Sequence, residues 1–172
     1  MVRSDLLRPL GLDNEIVLGQ DPYHGSDPQR GWRGGVNTFG SIRAIAAFLA
    51  ALPGGHDFQP DGVFHGLPAI AAPWRTGLPD RYFRHVRDWG LGVMLESARW
   101  GRRSVVFTDL ASPRTYGHVA RAGIAAFVDP VQRVAGGVFG SGQLDAVQTR
   151  YFLRSACTAI HRQATQVGRS VR

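Results

Sequence analysis

Residues 15–18, Glu-Ile-Val-Leu, make a short apolar run that ends abruptly in Gly19-Gln20-Asp21-Pro22-Tyr23-His24-Gly25. The Asp-Pro pair turns the chain at once, so the run predicts a brief strand with polar side chains gathered behind its carboxyl end. In open α/β folds that is the edge of the sheet where ligands bind. The same residues also read as an ordinary tight turn with a half-buried tyrosine. Such a turn requires neither Gln20 nor His24.

The rest of the chain supports an α/β expectation. Ser41 caps a segment, residues 42–52, in which Ile42, Ile45, Ala46, Leu49 and Leu52 share one helical face before Pro53-Gly54-Gly55 ends it. Residues 79–89 predict a second helix, with Tyr82, Phe83, Val86 and Trp89 at helical spacing. Residues 91–95 and 104–108 read as strands, the latter a buried Val-Val-Phe run. Residues 115–121 read as a short helix, 124–128 as a strand and 144–163 as a closing helix. Strands alternating with helices predict a three-layer α/β sandwich around a central, mostly parallel sheet. Glycine and proline are spread as punctuation rather than gathered in a linker, so residues 1–172 read as a single domain.

Composition narrows the function classes. The net charge of +7 comes from 20 arginines and no lysine. That bias matches a GC-rich coding sequence, yet the positive balance still favours polyanions and makes nucleic acid a candidate partner. No apolar run approaches the roughly 20 residues that span a bilayer, and the N-terminus lacks the pattern of a secretory signal, so a cytoplasmic location is expected. Cys157 has no partner for an internal disulfide, and no Cys/His cluster has metal-ligand spacing, so neither metal nor cofactor is expected. His85, His118 and His161 are scattered and read as surface or core histidines.

Val17-Leu18-Gly19-Gln20-Asp21-Pro22-Tyr23-His24-Gly25 resembles the water-activating loop of family 1 uracil-DNA glycosylases. The flanks are similar as well: Leu6-Leu7-Arg8-Pro9-Leu10 upstream, and Gly35-Val36-Asn37-Thr38-Phe39 with Ser41-Ile42-Arg43 downstream, so that residues 5–52 are covered. The resemblance implies excision of uracil or a related damaged base from single- or double-stranded DNA, without a cofactor. It assigns Asp21 as the carboxylate that positions water and stabilises an oxocarbenium-like sugar. Gln20 and its neighbouring backbone would meet the base and the water, His24 would count among the substrate-binding residues, Tyr23 would exclude the thymine methyl, and Phe39, or its rival Trp32, would stack on the flipped base.

The chain departs from that family in two places. The base-reading asparagine is absent where Glu96-Ser97 follows residues 92–95, which leaves Asn37, Glu96, Ser97 and His65 as substitutes. Asp129, in Val128-Asp129-Pro130, stands where the family's His-Pro loop would place its catalytic histidine. An ionised Asp129 would repel an anionic leaving base, so it serves catalysis only if kept protonated; a plain Asp-Pro turn is the other reading. These departures give the alternative of a lapsed glycosylase fold acting as a DNA-binding or assembly subunit. Arg102-Arg103-Ser104 and Ser112-Pro113-Arg114 could form a phosphate track or a solvated charged face.

Overall fold

The computed structural model describes Ser4 and residues 7–18, 38–52, 71–81, 83–120, 123–140 and 144–170. A short ribbon comes first, in which β1 (Ile16–Leu18) pairs antiparallel with β2 (Thr38–Gly40). Helix α1 (Ile42–Ala51) follows directly, and the Ser41 side chain accepts the Ala44 N–H at 3.1 Å, as the sequence predicts for an N-cap. The main sheet then takes β3 (Asp88–Trp89), β4 (Met94–Leu95), β5 (Tyr116–Ala120), β6 (Ile124–Asp129) and β7 (Val134–Phe139) in sequence order. Helix α2 (Ala146–Ser170) closes the chain.

All four strand pairs of this sheet are antiparallel. That overturns the mostly parallel three-layer sandwich expected from the sequence. The reason lies in the connections: residues 121–123 and 130–133 are of hairpin length, whereas parallel neighbours need a crossover of roughly a dozen residues or more.

Several local expectations change for the same kind of reason. Residues 115–121 form β5 rather than a helix. Tyr116 is buried on one face, while a side chain at Gly117 would strike the carbonyl oxygen of Ala126 on β6. Within 79–89, Asp88–Trp89 form β3 and the other described residues form turns with isolated bridges Pro79↔Val86 and Arg75↔Trp89; Arg84 at φ 61 is incompatible with a continuing helix. The Val-Val-Phe run at 105–107 is buried but unpaired as a strand, because the Val106 and Phe107 N–H groups bond to the Glu96 carboxylate. Strand β7 lies outside the sequence expectations; Gly136-Gly137 at its centre breaks the apolar pattern by which a strand is recognised.

Those two glycines set the packing. A Cβ on Gly136 would lie 2.7 Å from the Ile160 side chain of α2, and one on Gly137 would collide with Ile42 of α1. The helices therefore approach β7 from opposite faces, and only hydrogen side chains leave room for both. Strand β6 is buried on both faces, which explains its unbroken apolar run. Ala125 and Phe127 join Leu153 and Cys157 of α2, with Phe107 and Val138, in one core. Ala126 and Val128 join Leu49 of α1, with Tyr116 and Leu95, in another. Leu7, Leu12 and Ile16 pack on Ala44 as a third, smaller cluster.

Candidate functional site

Asp129 ends β6 fully buried, and every part of its carboxylate is engaged. Oδ2 accepts the Ser112 N–H at 2.7 Å and lies 3.2 Å from His161 Nε2; Oδ1 accepts the Ser112 hydroxyl at 2.7 Å and the Val131 and Gln132 N–H groups at 3.1 Å. Burial would raise its pKa, but the bonds from Ser112, Gln132 and His161 outweigh burial and hold it below the usual carboxylate range. Ser112, Asp129 and His161 carry the residue types of a nucleophilic triad in the wrong order. The imidazole must stand between hydroxyl and carboxylate to take the serine proton; here the carboxylate stands in the middle. The trio ties the β6–β7 turn, the segment before β5 and α2 together.

Glu96 and Asp88 form a second buried polar centre around a cavity of about 110 Å³ that Leu95, Arg99 and Pro113 also line. Glu96 Oε1 accepts N–H bonds from Ser97, Ala98 and Val106, and Oε2 accepts one from Phe107, at 2.8 to 3.1 Å. Desolvation nevertheless raises its pKa above the ordinary value. Asp88 accepts from Gly77 N–H and Trp100 Nε1 and pairs with Arg99 at 2.7 Å. Both carboxylates replace missing strand or turn partners for backbone groups. Cys157 is sealed in the core, where burial first and Glu96 second push its thiol up to about 12, so it is no nucleophile in the native state.

The open chemistry lies along β5. On β5, strand β4 reaches only Tyr116 and Gly117, so β5 outruns it by three residues. Among the described residues, no backbone hydrogen bond beyond those of the β5–β6 ladder reaches His118, Val119 or Ala120. His118 is exposed at this bare edge with its ring 6.3 Å from that of Trp89, and desolvation by its packed surroundings lowers its pKa below the ordinary imidazole value. An imidazole with a lowered pKa thus stands beside main-chain donors and acceptors of β5 that no other described strand pairs. The helical reading of 115–121 concealed it; the alternation Tyr116, His118, Ala120 was the available signal.

Of the residues singled out in the sequence, Gln20, Asp21, Tyr23, His24 and Asn37, with Trp32 and His65, lie outside the described residues. Phe39 lies in β2, opposite Val17. Asp129 and Ser97 are buried within hydrogen-bond networks. Of the serines in the two arginine-flanked segments, Ser104 is buried and Ser112 is bound to Asp129. No group of His, Cys, Asp and Glu suited to a metal ion occurs among the described residues. None of their helices is long and apolar enough to cross a membrane.

No family model and no curated protein matches the chain. Among solved structures it is similar to a β-lactamase from Mycobacterium bovis, with a TM-score of 0.64 and 18% identity over 95% of this chain and 55% of that one. The chain shares that β-lactamase's fold. It spans about half the length of that protein. It is also matched to EstA from Arthrobacter nitroguajacolicus at a TM-score of 0.43 and 16% identity, over 84% of this chain and 50% of EstA. The antiparallel sheet and the β-lactamase likeness overturn the uracil-DNA glycosylase resemblance. With it fall base excision, the DNA-repair role and the lapsed-glycosylase alternative. A nine-residue string at 17–25 carries no information on strand order, which is set by connections far from it.

Proposed function

We propose that this chain is the sheet-bearing part of a β-lactamase-like hydrolase and binds an extended acyl substrate along the bare edge of β5 beside His118. The observation that carries this reading is the three-residue overhang of β5 past β4, in a fold shared with a β-lactamase. An edge of this kind can bond the main-chain-like amide or ester groups of a ligand as an added strand. Its N–H groups can also stabilise negative charge on a carbonyl oxygen under attack.

One common route to such hydrolysis, a serine activated within a Ser-x-x-Lys motif, is closed to this chain because it contains no lysine. The reading favoured instead is general-base catalysis. Neutral His118 takes a proton from water as the water oxygen bonds to the acyl carbon, and the leaving group departs with the electron pair of the broken bond.

Hydrolysis of p-nitrophenyl acetate and of a chromogenic cephalosporin by the wild type and His118→Ala tests the reading. Acetate hydrolysis above the buffer rate should fall about a hundredfold in the variant. Its rate should rise with pH and level off above a midpoint lower than that of free imidazole. Equal rates in the two proteins, or none above buffer, would overturn the proposal.

A further inference from the structure

Arg87, just before β3, is 6% exposed, and its Nε and Nη1 are buried without a hydrogen-bond partner. Buried guanidinium groups are ordinarily paired, since ions leave water at heavy cost. The Phe83 ring covers one face of this one, 4.6 Å from ring centroid to Cζ, and does not answer the in-plane donors Nε and Nη1.

Among the described residues, the carboxylates near enough to act on it are Glu96 and Asp80, and both are engaged elsewhere. Glu96 holds four backbone N–H groups. Asp80 accepts from Phe83 N–H and Trp89 Nε1 and pairs with Arg75.

The remaining neighbours add positive charge. After burial, the Arg150 cation is the next cause lowering the pKa of Arg87. Arg150 is fixed in place, donating to the carbonyls of Arg102 and Arg103 and to His85 Nε2, the last at 3.3 Å. His85 is thereby kept as an acceptor, and burial followed by Arg150, Arg87 and Arg103 lowers its pKa. Among the described residues the result is a buried guanidinium with two unbonded nitrogens, one fixed cation, Arg150, acting on it, and two carboxylates whose oxygens already bond other groups.

We propose that Arg87 and Arg150, beside His85, form a binding site for a small oxyanion of the phosphate or carboxylate type. Such a ligand supplies the oxygen acceptors that Arg87 Nε and Nη1 lack. The site involves none of the β5 edge residues and is independent of the hydrolase reading.

Titration calorimetry of the full chain with inorganic phosphate, at constant ionic strength, tests it. One saturable site is expected, weakened more than about tenfold by Arg87→Met, which keeps the apolar contact with Phe83 and removes the charged donors. Arg114→Met, which removes an exposed arginine elsewhere, should leave it unchanged. If Arg87→Met does not fold, Arg150→Gln reads the same loss. Acetate that competes with phosphate identifies a carboxylate-accepting site, and acetate that does not identifies one selective for phosphate; either outcome supports the site. No saturable binding, or equal weakening by Arg114→Met, would overturn the proposal.

Discussion

Asp129 shows how one buried carboxylate can hold three segments in register through bonds to Ser112, Val131, Gln132 and His161. Asp129→Asn keeps the shape but turns an NH2 toward N–H donors and removes the charge, which should cost about 3 kcal/mol in urea unfolding at pH 7. The sign with pH follows from its lowered pKa. The stabilisation is complete above the unfolded carboxylate value near pH 4 and is lost as pH falls through the lower folded value. The gap between wild type and variant should therefore be constant from pH 7 to about 5 and close below about 4. A gap that widens on acidification would show that Asp129 is not ionised in the folded protein. The Asp-Pro turn was legible in the sequence, but its partners Ser112 and His161 were not, because they lie 17 and 32 residues away.

At the scale of elements, glycine decides where strands and helices meet. Gly137→Ala should destabilise the protein by about 2 kcal/mol, because the new methyl meets Ile42 of α1 across a packed face. Removing that side chain should relieve the clash, so Gly137→Ala should cost less in an Ile42→Ala background than in the wild type, measured as a double-mutant cycle. Additive costs would place α1 elsewhere. Gly117→Ala has no such remedy, because the obstacle is the backbone of β6. It should be the more damaging of the two substitutions, read as the larger drop in Tm. Helix α1 was legible from its cap and its periodicity. Strands β5 and β7 were not, because the value of their glycines lies in what packs against them.

For the molecule as a whole, Cys157 reports on cooperativity. It sits at the centre of the core shared by α2, β6 and β7, with no exposure and a thiol pushed up to about 12. Labelling by a thiol reagent under native conditions should be slow, and in mild denaturant its rate should follow the same dependence as global unfolding seen by circular dichroism. Fast labelling independent of denaturant would mean that α2 detaches on its own.

Features written in contiguous residues were determined by the sequence alone: the Ser41 cap and α1, the apolar β6 run, the closing helix, and the basic balance carried by arginine alone. Strand direction, the identity of β5 and β7, the placing of Glu96 as a surrogate partner for backbone N–H groups, and the exposure of His118 at a bare edge were decided only in tertiary structure. The physical reason is the range of the forces involved. A helix forms its hydrogen bonds within four residues, and its periodicity is visible locally. A strand borrows its partners from another part of the chain, so its residues acquire meaning only when antiparallel pairing of β5 with β6 and of β6 with β7 brings those partners alongside.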